Sequence, residues 1–279
     1  MIYLYIFIAL TVVLLAIELY RSNKIIYRKR YQVRSYKVPP AFEGFKIAQV
    51  SDFHNEDWGG KLEAILEDEK PNVIFITGDL LDSRRTDLER AKKFLSNIRW
   101  IAPVYYVTGN HESRRAEFKP LKDHALKIGI NFMDDRSALI ERGGKIINIL
   151  GLQDPDFEFK GIKFDRVKYV TDRIGKMNFN KEAFTILLSH RPELFKGYVA
   201  SGVDLAFSGH AHGGQVRLPL IGGLFAPHQL FFPRYSKGMY SESATTMIVS
   251  AGVGKSEFPV RANNPFELVL VELRTTDTK

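Results

Sequence analysis

Apolar residues fall along this chain in three registers. The first is a continuous run, "IYLYIFIALTVVLLAIELY" over residues 2–20, broken only by Glu18 near its end. About 17–25 mostly apolar residues match the thickness of a bilayer, so the run is expected to be a membrane-spanning helix. Basic residues follow the run instead of preceding it, and no small-residue cleavage pattern comes after, so it reads as an uncleaved anchor. The second register is a series of short β-branched runs: "FKIAQVSD", "NVIFITGD", "PVYYVTGNH", "KIINILGLQD", "FTILLSHRP", "LAFSGHAH", "TMIVSAGVG" and "FELVLVEL". Unbroken runs of this length suit strands buried on both faces. The third register has helical spacing, in "GKLEAILEDEK", "RRTDLERAKKFLSNIR" and "DRVKYVTDRIGKM". Strand and helix alternate, which predicts a layered α/β domain. The adjacent prolines of "KVPPAF" mark a linker. The expected organisation is an anchor at 1–20, a basic collar and linker at 21–42, and one domain at 43–279.

Charge sharpens this division. The net charge of +8 would fit a nucleic-acid binder, but "RSNKIIYRKRYQVRSYKV" alone carries seven basic residues and no acid. With Glu18 counted, the rest of the chain holds only +2. A nucleic-acid face would carry its charge on the folded domain, so no nucleic-acid partner is expected. The collar is expected in the headgroups of a bilayer. Its Lys/Arg excess places the domain on the cytoplasmic side of the cell membrane. The chain has no cysteine, which excludes disulfides and thiolate metal sites. Any transition metal must therefore use His, Asp, Glu, Asn or backbone oxygen.

The strand-like runs share an ending. Each of "SDFH", "TGDL", "TGNHE", "LSHRP" and "SGHAHGGQ" follows an apolar run with Asp, Asn or His beside small residues. Open α/β sheets place their sites at the C-terminal ends of strands. Together these endings supply Asp52, His54, Asp79, Asn110, His111, His190, His210 and His212, five of the seven histidines. Mn, Fe and Zn accept this mixture of imidazole and carboxylate, and a carboxylate can bridge two such ions. If "GHAH" stays extended, His210 and His212 point to the same face.

In their order and spacing these motifs resemble the signature of the calcineurin-like metallophosphoesterases. With the N-terminal apolar run, they are similar to its membrane-associated subgroup, related to UDP-2,3-diacylglucosamine hydrolases and exported phosphoesterases. The resemblance covers residues 51–215 and implies a four-layer α-β-β-α sandwich of two mixed sheets. It implies two divalent metal ions (Mn, Fe or Zn). Asp52, His54 and His212 would hold one, Asn110, His190 and His210 the other, and Asp79 both. His111 would face the substrate phosphate. Glu112 stands where Asp is commoner, adding one methylene.

The expected reaction is in-line attack of a metal-bridging hydroxide on phosphorus, with His111 serving the leaving group. Arg84, Arg85, Arg114 and Arg115 follow two of the motifs and could reach a phosphate. The segment "LPLIGGLFAPHQLFFPRYSKG" at 218–238 could form a greasy wall or pack inward over a sheet edge. A lipid-linked phosphodiester or pyrophosphate is the favoured substrate. A hydrolase of soluble phosphodiesters or phosphoproteins and a metal-dependent module without turnover are the alternatives.

Overall fold

The structure is a computed structural model and describes residues 1–256, 258 and 260–277. In chain order the elements are α1 (Ile2–Lys24), β1 (Ile26–Ser35), β2 (Lys46–Val50), α2 (Lys61–Glu69), β3 (Val73–Thr77), α3 (Leu88–Ile98), β4 (Val104–Val107), α4 (Phe118–Lys127), β5 (Asn131–Phe132), β6 (Arg136–Arg142) and β7 (Lys145–Gly151). There follow α5 (Asp156–Phe159), α6 (Arg166–Gly175), β8 (Thr185–Leu188), α7 (Phe195–Ala200) and β9 (Leu205–Ser208). Four two-residue strands come next: β10 (Arg217–Leu218), β11 (Gly222–Gly223), β12 (Phe225–Ala226) and β13 (Leu230–Phe231). The chain closes with β14 (Gly238–Glu242), β15 (Thr245–Val249) and β16 (Phe266–Thr275).

Two six-stranded sheets are ordered β1-β16-β2-β3-β4-β5 and β14-β15-β9-β8-β7-β6. Within the first, β2 to β5 run parallel. Within the second, β7, β8, β9 and β15 do. The runs expected as strands are therefore interior to the sheets and buried over most of their length. Antiparallel β16 and β14 make both sheets mixed. Side chains from the two sheets form one shared core. Phe75 of β3 meets the ring of Phe207 of β9 at 5.4 Å across it. Losing a buried ring of this size typically costs about 3–5 kcal/mol. The outer face of the first sheet buries against α2, α3 and α4, and that of the second against α6 and α7. The architecture is the four-layer α-β-β-α sandwich.

One segment differs from expectation. Residues 26–35, read as collar, are the ten-residue edge strand β1, paired in parallel with β16 from Ile26↔Phe266 to Ser35↔Thr275. Counting charge hid a period of two. Arg28 and Arg30 reach Glu69 of α2 at 2.9 and 2.6 Å, and Arg28 also reaches Asp68. Tyr31 and Val33, on the opposite face, join the shared core. Basic side chains on an edge strand also discourage pairing with another chain.

By contrast α1 is long and apolar enough to cross a membrane, and its hydrophobic residues are exposed. Among the described residues its last turns bond the domain, through Arg21, Ser22 and Asn23.

The two faces of β1 should respond differently in urea denaturation. Val33→Asp, which puts a charge into the core, should destabilise by about 3 kcal/mol or more. Arg28→Ala removes exposed pairs and should cost within about 1 kcal/mol.

Candidate dimetal site

The C-terminal ends of β2, β3 and β4 in one sheet meet those of β8 and β9 in the other. All eight sequence-predicted residues lie there, each nearly inaccessible to solvent. Two buried cross-links hold the ends together. Gln49 donates from Nε2 to Thr77 Oγ1 and to the Ser208 carbonyl, both at 2.9 Å. The His210 N–H donates to the Asp52 carboxylate at 3.0 Å. This approach needs Gly209, where a Cβ would overlap Ser51 Oγ and the Asp52 carboxylate.

Five of the side chains leave the backbone in the left-handed region: Asp52 (φ 52°), His54 (49°), Asp79 (53°), His210 (65°) and His212 (45°). Asp and His tolerate this region better than most residues, yet each still costs of order 1 kcal/mol and persists only where its surroundings enforce it. The "GHAH" segment is accordingly a tight turn and not extended, with Ala211 in the right-handed region between the two histidines. The rings diverge instead of sharing a face.

Around His210 the distances form one cluster. His190 Nε2 lies 3.2 Å from Asp79 Oδ2, 3.2 Å from Asn110 Oδ1 and 3.1 Å from His210 Nδ1. Around His212 they form a second. His212 Nε2 lies 3.4 Å from Asp52 Oδ1 and 3.2 Å from His54 Nε2. Asp79 Oδ2 stands between the clusters, 3.7 Å from His54 Nε2. Its other oxygen accepts the His111 backbone N–H at 2.8 Å.

This donor set fits divalent metal. His190 Nδ1 donates to the Thr77 carbonyl at 2.8 Å, so its Nε2 faces a ring of acceptors. Only a proton or a cation at that point relieves their repulsion. Asp79 draws a proton there, raising His190 to about 10 against the effect of burial. A divalent ion would satisfy the acceptors together. Burial holds His210 and His212 well below the ordinary imidazole range and His54 at about 3. All three are thus in the neutral form that can ligate. Burial pushes the Asp79 carboxyl up, but His190 and His111 outweigh it and keep Asp79 ionised.

His111 packs edge-on against His54, ring centroids 4.5 Å apart, and groups with His54 and Asp79 at the mouth of the site. Its Nδ1 accepts the Ser83 backbone N–H at 2.9 Å, so the neutral ring carries its proton on Nε2. Nε2 lies 3.9 Å from Asp79 Oδ2, and the ring lines a cavity of about 320 Å³ over both clusters. Arg114 also lines it, while pairing with Asp156 at 2.9 Å. Arg115 pairs with Glu117 and Arg85 with Asp82, and neither is in the cavity wall.

Residues beyond the eight candidates complete the site. Glu112 does more than lengthen a side chain. Its carboxylate accepts the backbone N–H groups of Asp79, Leu81 and Gly109 at 2.9, 2.9 and 2.7 Å. Arg191, fully buried, makes a bidentate pair with Asp154 at 2.6 and 2.8 Å and touches His210 Nε2 at 3.2 Å. His228, outside every motif, lies with Nδ1 3.0 Å from the same nitrogen. Arg191 and Asp154 both sit at strand ends and could have been noticed on that ground. His228 carries no such signal.

Residues 45–214 match the family model described as calcineurin-like phosphoesterase. The chain belongs to this family. Among its relatives, the phosphoesterase is 27% identical over 92% of its length to an uncharacterized metallophosphoesterase, YkuE, of Bacillus subtilis, covering 89% of that protein. It is 26% identical to a transmembrane protein with metallophosphoesterase domain of Danio rerio, over 85% of this chain and 55% of that one. Among solved structures it resembles the Thermus thermophilus sulfate thiohydrolase SoxB, with a TM-score of 0.51 and 12% identity, over 85% of this chain and 57% of the other. At that identity the likeness is one of fold.

Removing the carboxylate that holds the phosphoesterase's Asp79 loop should be costly. Glu112→Ala leaves three buried N–H groups without an acceptor, for a loss of about 3 kcal/mol or more. Glu112→Gln retains one acceptor oxygen and should lose less. Denaturation of the metal-free protein, with Mn²⁺ titration calorimetry alongside, checks both.

Proposed function

We propose that this phosphoesterase is a membrane-anchored dimetal hydrolase of a phosphodiester or pyrophosphate bond in a lipid-linked substrate. Asp52, His54 and His212 would hold one divalent ion, Asn110, His190 and His210 a second, and Asp79 stands where it could serve both. The ions, when bound, would activate water for attack on phosphorus and neutralise charge on the phosphoryl oxygens. His111 works on the opposite partner of the reaction. Its Nε2–H is directed into the cavity by the Ser83 contact. Through that N–H it hydrogen-bonds the leaving oxygen and stabilises the negative charge that develops there as the phosphorus–oxygen bond breaks, and the departing group takes its proton from water. Arg114, fixed by Asp156, adds a positive edge for the non-bridging oxygens.

The observation that carries the lipid assignment is the rim. Phe225, Pro227 and Phe258 line the cavity. Around it Ile221, Leu230, Phe231 and Phe232 are 60–68% exposed. Ala226 and Tyr235 of the same segment pack inward on the second sheet's core, so the exposed residues form the outer edge of an anchored loop. Large contiguous apolar surface on a soluble face marks a docking or membrane site. The anchor lies beside the rim, because Asn23 of α1 hydrogen-bonds both the N–H and the carbonyl of Arg261, three residues beyond Phe258. Arg21 and Lys24 in the last turn of α1 favour a cytoplasmic domain.

With Mn²⁺ the purified chain should hydrolyse bis-p-nitrophenyl phosphate, and Asp79→Asn should lose that activity. His111→Ala should lower turnover about 10²–10³-fold while leaving metal uptake intact. Equal rates in the Asp79 variant and the parent would remove the dimetal mechanism. The double variant Phe231→Ser, Phe232→Ser should lose turnover of a phospholipid in micelles far more than of the soluble diester. A parallel loss on both would make the rim structural and favour a soluble substrate.

A further inference from the structure

Glu18 is the one charge in the apolar run, and Ser22 is the one buried residue of α1. They are joined: the Ser22 hydroxyl donates to Glu18 Oε1 at 2.5 Å. A serine hydroxyl has a single proton, and committing it to Glu18 leaves the oxygen's lone pairs as acceptors. They face Asn264, whose backbone N–H donates to Ser22 Oγ at 3.0 Å. Asn264 is itself fully buried, and its Nδ2 donates to the His212 carbonyl at 2.7 Å and the Gln215 carbonyl at 3.2 Å. The fit between them is close, since a Cβ on Gly213 would overlap the Asn264 amide.

A second strand of contacts runs alongside. Asn23 pairs with the Arg261 backbone at 2.7 and 2.9 Å. The fully buried Arg261 donates from Nη2 to the Gly254 carbonyl at 2.8 Å and lies 3.3 Å from His212 Nδ1. Both routes end on His212, which sits at φ 45° and needs its surroundings to hold it there.

We infer that Glu18, Ser22 and Asn23 of the anchor helix are positioning residues for the metal ligand His212, so that the last turns of α1 brace one metal position from behind through Asn264 and Arg261. This rests on the dimetal reading above and extends it to residues about 190 positions from His212 in the chain. It also accounts for the charge inside the apolar run, because Glu18 orients the Ser22 hydroxyl so that its lone pairs meet Asn264. The other metal position, built from Asn110, His190 and His210, has no such link to α1 among the described residues.

The test is cobalt(II) titration of the full chain in detergent micelles, followed by visible absorbance. The parent should take up two equivalents. Ser22→Ala should weaken one of them by about 10–100-fold, as loss of an outer-shell partner does, and leave the other unchanged. Glu18→Gln should act in the same direction, and Ser22→Thr, which keeps the hydroxyl, should restore parent behaviour. Asn264→Ala should reproduce the Ser22→Ala effect. Two unchanged sites in Ser22→Ala overturn the inference, and so does equal weakening of both, which signals general loosening. Failure of the parent itself to take up two equivalents would sink the dimetal reading, an outcome distinct from failure of the relay.

Discussion

The carboxylate of Asp79 is the constraint from which the rest of this structure follows. It is buried where two sheets converge, and burial alone would drive it to hold a proton. It stays ionised chiefly because the charged imidazole of His190 lies 3.2 Å away, with the rings of His111 and His54 packed around it. Those rings come from three separate strand ends, so the charge is stabilised only once both sheets are in register. Glu112 completes the arrangement from behind by holding the backbone on either side of Asp79. A second buried carboxylate beside the first is costly, and burial together with the Asp79 charge raises Glu112 to about 7. Hydrogen bonds from three backbone N–H groups offset part of that cost.

Strain is concentrated at the same place. Five candidate ligands hold left-handed backbone conformations that ordinary loops avoid. The surrounding cross-links make those conformations the only ones that fit. Gln49 and His190 tie the β3 end to the second sheet, and the Asp52 carboxylate caps the His210 N–H. Unstrained loops would lower the backbone energy but would not aim Asp52 and His212, from opposite sheets, at one point. The rigid shared core between the sheets, with Phe75 against Phe207, supplies the platform that makes this aiming possible.

Much of the fold was legible because its central strands are buried on both faces. Such strands read as unbroken apolar runs, and all eight runs proved to be strands. The weaker elements were not legible for the converse reason. The edge strand β1 shows one face to charged partners on α2, so its basic residues masked its alternation. The small strands β10 to β13 bury little and leave no periodic trace. The site was legible to the extent that its residues stand directly after strands. His228, Asn264 and Arg261 approach it from the rim segment and from the stretch before β16, where the sequence shows no pattern to mark them.

The sequence by itself determined the alternating α/β order, the apolar N-terminal helix, the lack of thiolate chemistry and the family of the motifs. Each of these depends on local composition or on residue order, which the chain carries openly. Only the tertiary structure decided that "GHAH" is a turn whose rings diverge, that Glu112 supports three backbone groups, and that the basic segment belongs to a sheet. The same holds for the link from α1 through Asn264 to the loop of His212. These features depend on which distant atoms become neighbours, and no spacing along the chain encodes a hydrogen bond between Ser22 and Asn264.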